Sequence, residues 1–272
     1  MLSLHTNAAS LSTQNSLGST NKALSSSMTK LGTGYRVNSA MDDAAGLQIA
    51  TRLNAQSRGM QVAQKNAQNG ISMLQTAEGA LNEVTNVLLR IKDLATEAAT
   101  DTSSADDRTA IKAEIDSLNL ELTNIFDNTA FGGRKLFKDA DALAATTTFQ
   151  IGATSGETMA LTGITIAAFN PTALTVDTGD NARTTLTAAN TQLTAVSKLR
   201  SQLGAFSNRL EHNYNNLGNM IQNTEAAKGR IMDVDYASET SNMTSKQMLM
   251  QASTSMLKQS NSMSQMVASL LQ

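Results

Sequence analysis

The chain has no cysteine, no tryptophan, one proline and only 3% aromatic residues across its 272 positions. Without cysteine there is no disulfide framework and no thiolate chemistry, which fits a chain kept in the cytosol or exported by a route that never oxidises it. With aromatics so scarce, Ala, Leu and Met must do the packing, and narrow seams of such residues suit contacts between helices, not a large globular core. No apolar run approaches the ~18 residues of a membrane helix, so no membrane insertion is expected. Residues 1–10 lack the basic and apolar segments of a secretory signal, so any export is expected to be independent of one. The net charge is −2, with no basic block or aromatic platform, and no nucleic acid partner is expected.

Catalytic chemistry has few candidates. The only histidines, His5 and His212, are far apart in sequence, and there is no His-Glu-x-x-His pair, phosphate loop or nucleophile elbow. Gly32-Thr33-Gly34 lacks the preceding strand and third glycine of a nucleotide turn and reads as a linker. Asp42 and Asp43 have no third ligand nearby and read as helix-capping carboxylates. The expectation is a protein without catalytic residues, metal or cofactor.

What the chain does have is apolar periodicity. Leu53, Gln56, Met60, Ala63, Ala67, Gly70, Leu74, Ala77, Leu81, Val84, Leu88, Ile91, Ala95 and Ala98 recur in alternating steps of three and four. That spacing averages 3.5 residues per turn and keeps one stripe of a helix on a partner helix. Val196, Leu199, Leu203, Phe206, Leu210, Asn213, Leu217, Met220, Thr224, Ala227 and Ile231 continue the theme, and Ile111, Ile115, Leu118, Leu122 and Ile125 add a shorter row. At the ends, Leu17, Leu24 and Leu31 recur every seven residues with Met28 among them, Leu4 and Leu11 start a similar row, and Leu249, Met256, Met263 and Leu270 form another. The Pro171 ring lies outside all of these, so none is forced to kink.

Boundaries are legible too. Ser39, Asp42 and Asp43 precede one long pattern, and Thr102, Ser103, Ser104, Asp106 and Asp107 precede the next, as capping residues do. Gly132 and Gly133 end the third helical region, and the C-terminal seam changes phase near Asp233–Tyr236. Between them, Thr146–Ile151 and Glu157–Leu161 are β-prone runs around a loop of hairpin length, with short strands also expected at Ile164–Ile166 and Leu174–Val176. This Thr-rich segment is expected to contribute little to the helical seams.

The fold class that follows is mainly α: long coiled-coil-like helices from both chain ends form an extended bundle, with a small β-hairpin insertion in the middle. The expected divisions are an inner helix over 1–40 that pairs with 235–272, outer-bundle helices over 41–134, a solvent-facing hairpin insertion over 135–185, and an outer-bundle helix over 186–234. Leu4, Leu11, Leu17, Leu24, Met28, Leu31, Leu249, Met256, Met263 and Leu270 are the candidates for inner packing. Leu53, Met60, Leu74, Leu81, Leu88, Val196, Leu203, Leu210 and Leu217 are those for the outer seam.

Several long runs are similar to one family. Leu4-His-Thr-Asn-Ala-Ala, Leu31-Gly-Thr-Gly-Tyr-Arg-Val-Asn-Ser-Ala-Met-Asp-Asp-Ala-Ala-Gly-Leu-Gln-Ile-Ala, Asn66-Ala-Gln-Asn-Gly-Ile-Ser-Met-Leu-Gln-Thr-Ala-Glu-Gly-Ala-Leu and Arg200-Ser-Gln-Leu-Gly-Ala-Phe-Ser-Asn-Arg-Leu resemble bacterial flagellins, as does the stretch 226–236. The resemblance covers about 1–138 and 186–272, with a shortened centre. It implies a secreted subunit that polymerises with other copies of itself into the extracellular flagellar filament. Passage through the flagellar type III channel, an export chaperone, and cap and junction proteins as partners are implied as well. It also implies contact of Arg90, Leu94 and Glu114 with a host Toll-like receptor, while Leu89, Lys92, Asp93 and Glu97 depart from the common pattern there. Ser264 stands where the family commonly has proline, so the last helix is expected to run on. The rival within the family is a hook–filament junction protein, which matches these runs less well. A helical signalling rod would need a helical tip midway and a membrane anchor.

Overall fold

A computed structural model of the chain describes residues 7–137, 143, 146–161 and 174–270. Leu4, Pro171, the expected strand at Ile164–Ile166 and the side chains of Ser264 and Leu270 lie outside the described residues. The elements are α1 (Ala8–Thr33), α2 (Ala44–Ala98), α3 (Ala105–Asn128), β1 (Ala130–Phe131), β2 (Arg134–Lys135), β3 (Thr147–Gln150), β4 (Thr158–Leu161), α4 (Gly179–Met232) and α5 (Tyr236–Leu270). The backbone of α5 passes through Ser264 as helix. The chain divides into two units, Met1–Ala55 with Asn223–Gln272, and Gln56–Gln222.

The 56–222 unit holds the larger core. Leu74, Leu81, Leu88 and Ile91 of α2, Ile115 and Leu122 of α3, and Val196, Leu203 and Leu210 of α4 are buried in one cluster. Met60, Ala63 and Leu217 form a smaller cluster with Ile221. Each large side chain buried in this way contributes about 1.5–3 kcal/mol. The seams shift phase near their ends. Gln56 is exposed while Ser57 is buried, and Met220 is exposed while Ile221 packs inward. A 3.6-residue helix drifts against a 3.5-residue pattern, so a row counted by alternating steps slips by one position where a neighbouring residue is better placed. Leu53, counted on the same row, is half-buried and belongs to the other unit.

Helix ends have identifiable causes. Ser104 caps α3: its hydroxyl accepts from the Asp107 amide at 3.2 Å, and the Asp107 carboxylate accepts from the Ser104 amide at 3.0 Å. The Ser104 hydroxyl also donates to the Asp107 carboxylate at 2.7 Å, and this bond first, with that from the Ser104 amide, holds the Asp107 carboxyl below its ordinary range. The far end of α2 is closed by Arg108, whose guanidinium donates to the carbonyls of Ala98 and Thr100 at 3.1 and 3.0 Å. A cation there meets the negative end of the helix dipole.

The middle departs from expectation in three ways. Gly132 and Gly133 do more than end a helix: at φ 58° and 84° they make the two-residue turn of an antiparallel β1–β2 hairpin. Leu174–Val176 is not a strand; Leu174 and Val176 are buried in irregular backbone, and α4 starts at Gly179, before position 186. The Thr178 hydroxyl accepts from the Asn181 amide there, and Thr185 hydrogen-bonds the Thr175 backbone, drawing the segment onto α4.

The third departure concerns the β3–β4 hairpin, which pairs Thr147 with Leu161 through Gln150 with Thr158. Only one of its faces meets solvent: Met159 and Leu161 are buried and Phe149 packs on the core. Two glycines of α2, Gly70 in the seam and Gly59 beside it, explain the approach. A Cβ at Gly70 would sit 3.0 Å from the Phe149 ring, and one at Gly59 would sit 2.8 Å from the Ala153 Cβ. This segment therefore adds buried surface to the helical core, contrary to the small contribution expected of it.

Leu88 is fully buried, whereas Arg90, two residues on, lies exposed and ion-paired to Glu114 at 2.7 Å. Leu88→Ala is expected to destabilise the depolymerised protein by about 2–5 kcal/mol. Arg90→Ala is expected to change its stability by less than about 1 kcal/mol, since exposed ion pairs are weak. Thermal melting of both variants checks this; equal losses would contradict the phase of α2.

Candidate assembly surface

In the terminal unit, α1 and α5 lie against each other. Ser10, Leu24 and Ser27 are buried on α1, with Leu17 and Leu31 half-buried beside them. On α5 the half-buried row is Met243, Lys246, Met250, Ser253, Leu257 and Ser260, again in steps of three and four. Polar side chains fix the register near the chain ends. The Asn7 amide donates to the Ser260 carbonyl and hydroxyl at 3.3 and 3.2 Å, and the Ser10 hydroxyl donates to the Asn261 side-chain oxygen at 3.2 Å.

The heptad that stands out in the sequence of α5 is a different one. Leu249, Met256 and Met263 are 48%, 65% and 52% exposed, and on α1 Leu11 and Met28 are both 57% exposed. Of the described inner-packing candidates, only Leu17, Leu24 and Leu31 therefore lie on the shared face of the two helices. The reason is that α5 carries two interleaved heptads, Met243-Met250-Leu257 and Leu249-Met256-Met263. A single neighbour can cover only one stripe of a helix. Met248 and Met266, 60% and 59% exposed, extend the uncovered apolar surface.

The two helices are joined at their other end by a closure that periodicity does not reveal. Gly34 caps α1 at φ 76°, its amide donating to the Lys30 carbonyl at 2.9 Å. Its carbonyl accepts from the Val234 amide at 3.0 Å, while the Arg36 amide donates to the Met232 carbonyl at 2.6 Å, around a Tyr35–Asp233 bridge. The Arg36 guanidinium adds a bond to the Ile231 carbonyl at 2.7 Å. The chain then turns into α2. Asp42 accepts from the amides of Ser39 and Asn38 at 2.9 and 3.1 Å, and these bonds, Ser39 first, keep its carboxyl below the ordinary range. Asp43 caps α2 through the Gly46 amide at 2.8 Å. The two carboxylates thus have separate tasks, a turn clamp and a cap, and the Gly32–Gly34 stretch serves as the joint.

Of the three residues that the flagellin resemblance pointed to for receptor contact, Arg90 and Glu114 meet at the surface. Leu94 is 3% exposed and belongs to the core, so its side chain is not presented to a partner. Its position seven after Val87, which packs partly buried on the core, and three after the seam residue Ile91 are the signals of that burial. Among the described residues no group of three or more His, Cys, Asp or Glu side chains could hold a metal ion, and no helix is long and apolar enough to cross a membrane.

A family model of the bacterial flagellin N-terminal helical region matches residues 4–142, and one of the C-terminal helical region matches 186–271. The chain belongs to the bacterial flagellin family. It is 43% identical over 248 residues to flagellin of Halalkalibacterium halodurans, covering 90% of each. It is 34% identical to flagellin C of Vibrio cholerae over an alignment of 365 positions, longer than this chain, so the relative carries residues that this flagellin lacks. Among solved structures, Bacillus cereus flagellin aligns with a TM-score of 0.51 and 31% identity, covering 56% of this chain and 88% of that one. A flagellar hook-associated protein of Vibrio parahaemolyticus aligns at 0.59 over 71% of this chain and 100% of its own, but at 15% identity, which speaks for the fold alone. The protein is a structural subunit of the extracellular flagellar filament and not an enzyme.

The joint makes a specific demand on Gly34. A Cβ there would lie 2.9 Å from the Tyr236 hydroxyl, on a backbone conformation that L-residues avoid. Gly34→Ala is expected to cost about 1–2 kcal/mol from the backbone alone, and to speed amide exchange at Arg36 and Val234. Adding Tyr236→Phe should recover the part due to the hydroxyl. Unchanged exchange at both amides in Gly34→Ala would contradict the closure as drawn.

Proposed function

We propose that the uncovered stripe Leu249-Met256-Met263, with Leu11 and Met28 of α1, packs against neighbouring copies when this flagellin polymerises. The observation that carries the reading is the exposure of large apolar side chains at seven-residue spacing on a helix whose other stripe is already taken by α1. Repeated apolar stripes of this kind mark a helix that expects another helix. Burial of each side chain offers about 1.5–3 kcal/mol, and three per subunit on α5 alone favour assembly over the free chain. The α1–α5 pair then forms the inner layer of the filament, and the helices of 56–222 form an outer one. Export through the flagellar type III channel, an export chaperone, and cap and junction proteins complete the assembly route by the resemblance of this chain to its family. At a host Toll-like receptor, Arg90 and Glu114 are the surface groups on offer, as a mutually paired set.

The triple variant Leu249→Ser, Met256→Ser, Met263→Ser tests the reading. It should melt like the parent in the 56–222 unit, which it does not touch, and fail to form filaments under conditions where the parent does. Sedimentation and electron microscopy after seeding read the outcome, and filaments of normal yield from the variant would overturn the assignment.

A further inference from the structure

The apolar stripe is built largely from methionine, and methionine is the one aliphatic side chain here that mild oxidants convert into a polar one. Four of the chain's 14 methionines, Met248, Met256, Met263 and Met266, are each more than half exposed on α5. The chain has no cysteine and no tryptophan to compete for oxidant. By contrast Met60 and Met159 are buried, and Met73, Met232, Met243 and Met250 are at least half-covered, while Met28 on the α1 side of the face is 57% exposed and Met41 and Met220, away from it, are 97% and 41% exposed. Thioether reactivity follows exposure, so in the free subunit the assembly face is more open to oxidation than the packed core around Met60 and Met159.

We propose that Met248, Met256, Met263 and Met266 form an oxidation-sensitive modification site that blocks polymerisation of the free subunit while leaving its fold intact. This rests on the reading of the α5 stripe as an assembly face. The chemistry needs a two-electron oxygen donor, a peroxide or a hypohalous acid. With hydrogen peroxide, a sulfur lone pair attacks the distal oxygen, an S–O bond forms, the O–O bond breaks, and after proton transfer water leaves. Sulfur is oxidised by two electrons and the peroxide is reduced by two. The resulting sulfoxide is a strong hydrogen-bond acceptor on a side chain that assembly would otherwise bury without a partner, and burying such a group is costly. Within the filament the same sulfurs are covered by neighbours and react slowly, so the free subunit is the vulnerable state.

The test uses the full chain, depolymerised and treated with hydrogen peroxide. Peptide masses should show one added oxygen at each of the four sites well before Met60 or Met159 changes. The treated chain should keep its melting curve but yield no polymer from a solution in which the untreated chain polymerises. Methionine sulfoxide reductases acting on both epimers should restore assembly. The variant with these four and Met28 replaced by leucine should polymerise with or without peroxide, while Met41→Leu should remain sensitive. Normal polymer from the fully oxidised chain would overturn the proposal, as would a melting curve lost together with assembly, or polymer that reductase treatment fails to restore. If the untreated chain never polymerised, the assembly reading itself would fall, and this inference with it.

Discussion

A helix paired with one neighbour can bury only one of its stripes, and that limit governs the ends of this flagellin. α1 and α5 come from opposite ends of the chain and meet along Leu17, Leu24 and Leu31 on one side and Met243, Met250 and Leu257 on the other. The seam is thin: serines and threonines alternate with the apolar residues, and its firmest fixed points are the bonds of Asn7 and Ser10 to Ser260 and Asn261. Such a pair has little stability to spare alone. It leaves a second apolar row uncovered on α5, the row proposed above to be covered by other copies of the chain in the polymer. Weakness in the free subunit and stability in the filament are then two consequences of one geometry.

The 56–222 unit solves the opposite problem. Three helices and two hairpins give each apolar stripe a partner within the same chain, so Leu74, Leu81, Leu88, Ile115, Leu122, Leu203 and Leu210 are all buried. Small residues make this possible with few aromatics. Gly59 and Gly70 let the β3–β4 hairpin lie directly on α2, with Phe149 filling the space that a larger residue at 70 would occupy. A short central segment is thereby used for packing, in a chain that aligns with a longer relative only by skipping part of it.

Much of this was legible in the sequence. The 3.5-residue rows identified the long helices and most of their buried positions, and Ser104 and Asp107 announced the start of α3. The β3–β4 hairpin followed from two β-prone runs around a Gly-containing loop. What periodicity could not supply was choice. Two heptads coexist on α5, each of two methionines and a leucine, so side-chain size does not tell them apart; only the position of the partner decides. Leu94 shows the same limit, because a residue matched to a family's surface position can sit on the inner face of its own helix. The Gly34–Val234 closure joins residues 200 apart by backbone bonds that carry no side-chain signature, apart from a glycine in the left-handed conformation. Gly70 was the overlooked hint: in a seam this regular, a missing side chain marks where another element comes close.

The claim on which the rest depends is that the α5 stripe is open in the free subunit and covered in the polymer. Amide hydrogen exchange of α1 and α5, measured on depolymerised protein and on filaments of the same preparation, tests it most directly. Fast exchange across 8–33 and 236–270 in the free chain, slowed together in the filament while the buried stretch of α2 stays protected in both, is the predicted result. Termini protected to the same degree in monomer and filament would contradict the account.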